Sequence, residues 1–290
     1  MNPPDIRDLP NLIATSFMRT RPLADHLILI LGCGFMMGPV LLLVLASLNI
    51  GAILGPGGLD RNSWAALFEP YNQVLFTEDL FGNGVDGTGM LINSVIVAGG
   101  IAILKTGLSL LAAFALVCFR LRGATFLFGL ILLPMFFPIE TRILPTFIVT
   151  DDLGLLNSYS GMILPIVATG LGTLVFRQFL RQIPGELFEA AQLDGAGPIR
   201  FLVDILIPLA LPMIAALFAM LFVLGWNQYL WPLMINTTAE EYYTIVRGIQ
   251  RAGTGSSTGM ALGVLAMLPP VAVMLVAQKW ILRGLAQALQ

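Results

Sequence analysis

Residues 189–208 read EAAQLDGAGPIRFLVDILIP, a polar insert between two strongly apolar runs. Pro184 just upstream suits the first position of a helix, and Glu186 and Glu189 then complement its positive end. The run ELFEAAQL forms helix readily, and Asp194-Gly195 ends it, because Gly adopts the left-handed terminating conformation cheaply. Pro198 opens a second helix, IRFLVDIL, that continues past Pro208 into the next apolar run. The expectation is two short helices joined by a tight turn. Ala190 and Ala191 keep one face of the first helix thin, so that another protein can approach its backbone. On these grounds alone, a handle gripped from outside the membrane and an ordinary helical loop fit equally well.

Composition says what the flanking runs are. The chain has 290 residues, 57% hydrophobic and 11% charged, with a mean hydropathy of +0.87. Soluble domains carry about 25% charged residues. So much apolar surface cannot be hidden in water, and the chain reads as an integral membrane protein. Strongly apolar runs with few charges place spans at 27–49, about 90–118, 124–148, 158–178, 207–231 and 259–281. Each is long enough to cross ~30 Å of hydrocarbon as a helix. The ~10-residue alternating segments of a membrane β-barrel do not occur. No small-residue cleavage site follows the first run, which therefore reads as an anchor. The fold class expected is all-α, a polytopic protein with six transmembrane helices. An N-terminal segment (1–26) precedes a membrane domain (27–290) with one long external loop (50–89) and a coupling loop (181–206). Cys33 and Cys118 both fall in spans, so no disulfide framework is expected.

Lys and Arg in the connections orient the spans. Arg7, Arg19, Arg21, Arg120, Arg122, Arg177, Arg181, Arg200, Lys279 and Arg283 lie on one side, against Arg61, Arg142, Arg247 and Arg251 on the other. Ten against four puts both termini and the 181–206 loop in the cytoplasm. The opposite face carries acids instead: Asp60, Glu69, Glu78, Asp79, Asp86, Asp151, Asp152, Glu240 and Glu241. The external loop is Gly-rich at 55–58 and 82–89, and WAALFEPYNQVLF between them suggests a small amphipathic helix at the outer interface.

The spacing of the insert then narrows the reading. Glu189-Ala190-Ala191, three residues, Gly195, nine residues, Ile205, one residue and Ile207-Pro208 resemble the signature of ABC importer permeases, with Ile in place of Leu before the proline. The six-span layout, RQFLRQIPGELFEAAQLDGA (177–196), GWNQYLWPL (225–233) and LPP (268–270) are similar to the carbohydrate-uptake class. PIETRILPTF (138–147), LNSYSGMILP (156–165) and Lys105 resemble permeases of sn-glycerol-3-phosphate importers more narrowly. The resemblance implies that Glu186, Glu189, Ala190, Ala191, Asp194 and Gly195 dock on a separate ATPase and transmit its closure. It implies further partners: a homologous second permease, two copies of the ATP-binding subunit and an extracytoplasmic substrate-binding protein. No cofactor is expected on this chain, ATP and Mg being used by the ATPase. Membrane lipid surrounds such a chain, and nothing points to nucleic acid.

Polar residues inside spans are the candidate substrate contacts. Lys105 is the one charge within a clear span, where lysine costs on the order of 2.5–3.5 kcal/mol and so faces a cavity or partner. It either attracts a passing phosphate or supports packing through an ion pair or carbonyl contact. Arg142 either pairs locally with Glu140 or draws in an anion at the mouth of the pathway. Asn227, Gln228 and Tyr229 form a polar cluster in the fifth span that lines the pathway or bonds another helix. Trp226 and Trp231 read as interface anchors or packing, and His26 has no metal-binding companions. Gly99 and Lys105-Thr106 invite a phosphate-loop reading, but Leu104 stands where that motif needs Gly. Pro134, Pro138 and Pro145, and Pro269-Pro270, predict kinked helices. The residues exclude a secondary transporter driven by intramembrane acids, since no acid lies mid-span, and a membrane enzyme with clustered His, Asp or Glu. What remains is a transport subunit without chemistry of its own.

Overall fold

The computed structural model describes residues 22–51, 61–77, 80, 86–119, 121–253 and 255–288. Arg7, Arg19, Arg21, Asp60, Glu78, Asp79, Arg120 and the glycine-rich segment 55–58 lie outside the described residues. The described residues divide after Ala46 into two compact units. The first is built on helix α1 (Pro22–Ser47), of which Asp25–Ser47 is long and apolar enough to cross a membrane. The second is also all-helical among its described residues.

Two short helices, α2 (Arg61–Leu67) and α3 (Glu69–Phe76), occupy the loop where one amphipathic helix was expected. Val74 on α3 is fully buried, whereas Phe76 is exposed. The long helix α4 (Gly87–Cys118) follows, capped by the Asp86 carboxylate, which accepts from Gly89 N at 2.9 Å. Its 32 residues span ~48 Å, well beyond a bilayer core. The buried stripe of α4 is rich in small residues, among them Ala98, Ala102, Ser109 and Ala113, so neighbouring backbones come close. A Cβ added at Gly225 would lie 3.2 Å from Ala98 Cα, and one at Gly172 would overlap Ser109 Oγ.

The third and fourth apolar runs are each a bent pair of helices rather than one continuous helix. The third is α5 (Ala124–Leu132) with a 3-10 turn at Leu133–Phe136, then α6 (Ile139–Asp152), bent by 103°. Phe137 is forced extended (φ −88°, ψ 133°) by the proline after it, which is where the helix breaks. The fourth is α7 (Tyr159–Ile163) with a 3-10 turn at Leu164–Ile166, then α8 (Gly170–Leu180), bent by 51°. Among the described residues there are thus four continuous candidate spans, and six if each bent pair is one.

The insert folds as the spacing suggested, with one shift: Pro184 is the N-cap of α9 (Gly185–Leu193) rather than its first residue. At its end Gly195 N donates to Gln192 O (3.0 Å) and Ala196 N to Ala191 O (2.9 Å). This Schellman pair satisfies carbonyls that a helix end leaves open, and it needs Gly195 at φ +74°. Helix α10 (Pro198–Trp226) then runs from the insert straight into the fifth span. Its segment Phe201–Leu206 is wound as π-helix, with Ile207 N bonding Leu202 O. Pro208 has no N–H for Asp204 O, and its ring presses on that carbonyl; the wider winding relieves both.

The fifth span ends at Trp226, not near Trp231. Pro232 in α11 (Leu230–Ile235) cannot donate to the carbonyl four residues back, so the helix is interrupted at 227–229. Asn227, Gln228 and Tyr229 therefore sit in a break after the span rather than within it. Helix α12 (Ile245–Ala252) leads to α13 (Ser257–Ala288), which stays helical through Pro269-Pro270. The Ala266 carbonyl, four residues before Pro270, instead accepts from Trp226 Nε1 at 3.0 Å. Trp226 and Trp231 are both buried, so both are packing residues and not interface anchors.

Candidate functional site

The three interruptions of the spans converge. The breaks at 133–138, 164–169 and 227–229, together with the middle of α4, surround a cavity of about 620 Å³. Irregular backbone at membrane depth is tolerated where it lines a cavity or is covered by protein. Lys105 enters from α4, Glu140, Arg142 and Thr146 from α6, and Gln228, Tyr229 and Leu230 from the third break. The structure thus brings Lys105, Arg142, Gln228 and Tyr229 together, although up to 124 positions separate them in sequence. Asn227 is exposed and does not line the cavity.

The electrostatics of this space favour an anion. Two cationic side chains face one carboxylate, a formal balance of +1. The local Glu140–Arg142 pair weighed from sequence is absent: among the described residues neither Lys105 nor Arg142 is in an ion pair. Thr169 and Gly170 at the start of α8 also line the cavity, and no side chain caps that helix. Its first-turn N–H groups and the positive end of its dipole add to the same bias. A Cβ at Gly170 would lie 2.7 Å from Ile131 O, so only glycine lets this helix start so close to α5.

The residues expected from the resemblance to meet an ATPase form a separate, outward-facing surface. Glu186, Glu189, Ala190, Asp194 and Gly195 are exposed, while Ala191 is buried and ties α9 to the membrane core. Phe188 and Phe201 meet edge-on with centroids 5.1 Å apart, holding α9 against the start of α10. Arg200 and Asp204 pair at 3.3 Å on that surface, both largely exposed.

Two groups of residues escaped the sequence reading. Asn93 in α4 donates from Nδ2 to Glu241 O (2.7 Å) and Tyr243 O (3.0 Å), and its Oδ1 accepts from the Tyr159 hydroxyl. Arg247 was counted only as an external charge, yet it is 8% exposed and bonded on three sides. The signal for Asn93 was present, a side-chain amide inside an apolar run; for Arg247 there was none, since its partners lie in the fold and not in a motif.

Residues 105–287 match the family described as the binding-protein-dependent transport system inner membrane component, and the chain belongs to that family of ABC importer permeases. It is accordingly a multi-pass inner-membrane protein and a non-catalytic transport subunit. The chain is 40% identical over 271 residues to the sn-glycerol-3-phosphate transport system permease protein UgpE of Brucella suis, covering 91% of this chain and 96% of that one. The UgpE of Rhizobium meliloti is 39% identical over 277 residues, 92% and 98% of the two chains. A solved bacterial ABC transporter involved in import of the acidic polysaccharide alginate has a similar fold: TM-score 0.70 and 20% identity, over 96% of this chain and 99% of that one. The alginate transporter in complex with an alginate pentasaccharide-bound periplasmic protein gives a TM-score of 0.50 at 15% identity, over 91% and 96% of the chains.

Proposed function

We propose that this chain forms half of the translocation pathway for sn-glycerol-3-phosphate and couples it to a separate ATPase subunit. The observation that carries the reading is the joint presence of Lys105 and Arg142, unpaired with any carboxylate among the described residues, in the cavity at the span breaks. A phosphate ester supplies the charge those side chains lack, and its hydroxyls match Gln228 and Tyr229. The UgpE relatives, 39–40% identical over most of the chain, support the same cargo. Glycerophosphodiesters present a related anion and are the nearest alternative; a neutral di- or oligosaccharide would not use the two cations.

In this reading the termini and the 181–206 loop are cytoplasmic. The working complex contains a homologous second permease, two ATP-binding subunits and an extracytoplasmic binding protein. The periplasmic protein in the solved alginate transporter supports the last of these. ATP, with Mg, draws the nucleotide subunits together; α9 passes that movement through the turn at Gly195 to α10, which runs unbroken from Pro198 to Trp226, and the pathway opens outward. Hydrolysis resets it. The turn at Gly195 and the π-wound segment are the parts of this chain that bear the load.

The test is ATP-driven uptake of labelled glycerol-3-phosphate by the reconstituted complex. Lys105→Met is expected to lower uptake by about tenfold or more while leaving assembly and basal ATP hydrolysis intact, the loss of one charge-assisted contact. Lys105→Arg retains most of it. Unchanged uptake by the Met variant, or transport driven by an ion gradient without ATP, would refute the proposal.

A further inference from the structure

We infer that Arg247 is a positioning residue for the cavity: from outside it, it holds the helix that carries one wall. The inference rests on the reading of that cavity as the substrate site. Helix α11 is only six residues long, too short to be stable alone, and the break at 227–229 separates it from α10. Its orientation must therefore come from other elements. Its first residues, Leu230 and Trp231, line the cavity directly after Gln228 and Tyr229.

The opposite end of α11 is where Arg247 acts. Its Nη1 donates to Asn236 O, a carbonyl that the helix end leaves open, and at 3.5 Å to Pro232 O, which also accepts from Asn236 N at 3.1 Å. Its charge also suits the negative end of the helix dipole. Nη2 donates to the Tyr243 hydroxyl at 3.0 Å, and the guanidinium lies 3.8 Å over the Tyr243 ring. That hydroxyl in turn donates to Glu240 at 3.4 Å, and Glu240 is held by Arg251 at 3.2 Å. Arg247 thus joins α12 to α11 across a buried space, with no ion pair to a carboxylate among the described residues. A planar fork reaches two carbonyls and a phenol at once, which lysine cannot do.

The other ties of α11 do not replace this one. Trp231 Nε1 donates to Met162 O at 3.2 Å and Asn157 N to Ile235 O at 3.0 Å, both toward α7. They restrain its α7 side; Asn236 Nδ2, which donates to Tyr242 O at 3.1 Å, ties its end to the segment before α12, and Arg247 ties that end to α12 itself. Without the guanidinium, the Asn236 carbonyl loses its buried donor, and this end keeps the Asn236 side-chain bond to Tyr242 O but not the charged fork. Helix α11 can then swing about its α7 side, moving Gln228 and Tyr229 relative to Lys105.

The test uses the complete importer in proteoliposomes, with Cys33 and Cys118 replaced by Ala or Ser. A thiol is introduced on the moving wall by Leu230→Cys or on the opposite wall by Thr146→Cys, and its reaction with a small charged methanethiosulfonate is timed. Arg247→Met should change the rate at position 230 by about tenfold and leave position 146 unchanged; Arg247→Lys should give a smaller change in the same direction. Equal rates at 230 in parent and variants would overturn the inference, as would equal shifts at both positions, which would signal general loosening. If the Met variant does not assemble, the Lys variant decides by the same comparison. The labelling needs no substrate, so failure of the cargo assignment appears separately, as absent glycerol-3-phosphate uptake by the parent complex.

Discussion

Replacing Gly195 by Ala isolates the conformational requirement of the turn between α9 and α10, which is proposed to carry the coupling. The residue has φ +74°, and nothing lies within 4 Å of where a Cβ would stand, so the substitution introduces no clash with a neighbour. What remains is the intrinsic cost of a left-handed L-residue, ~1–2 kcal/mol. That cost should shift the closed turn toward open forms by about tenfold. Gly197→Ala is the matched control: its φ is −70°, its Cβ position is equally open, and its expected effect is near zero. Gly195→Asn falls between, because Asn tolerates this region better than Ala. Hydrogen exchange of the Ala196 amide, protected by its bond to Ala191 O, reads the opening directly in the assembled complex. The ratio of substrate moved to ATP hydrolysed reads its consequence. The reasoning fails if Gly195→Ala leaves exchange at Ala196 unchanged, or if Gly197→Ala accelerates it equally.

Two packing predictions follow from the same geometry. Gly172→Leu places a side chain into Ser109 and within 3.3 Å of Leu217 Cδ2, so α8 must move off α4; overpacking of this kind costs ~1–3 kcal/mol and should lower the thermal midpoint of the detergent-solubilised complex. Gly129→Leu, on α5 with open space around it, should not, and an equal drop in both would count against close packing as the cause. Trp226→Phe keeps a ring in place but strips the Ala266 carbonyl of its donor, at a cost of about 1 kcal/mol in a membrane interior. The same midpoint measures it, and restoring an N–H donor to the carbonyl by Pro270→Ala in the Trp226→Phe background should recover most of the loss.

The helical membrane architecture and the turn at Gly195 were legible in the sequence because both are written locally. Apolar runs need only length, and the turn needs only Asp194-Gly195 and Pro198 at the right offsets. A kink in the third span was legible from Pro134, Pro138 and Pro145, but which prolines break a helix and which are tolerated was not. Pro270 and Pro232 carry the same local defect, a missing donor for the carbonyl four residues back, yet α13 continues and the fifth span stops. At Pro270 the freed Ala266 carbonyl meets Trp226 Nε1, a residue 40 positions away. Whether a proline bends, breaks or merely sits in a membrane helix is decided by such partners, which only the fold supplies. The cavity inherits the same dependence. Lys105 stood out in an apolar run and Arg142 at the edge of another, but a straight third span would not fold back as this one does. The 103° bend after Pro138 is what brings α6 to the wall opposite α4, so the pairing of the two cations follows from a broken helix and not from either residue alone.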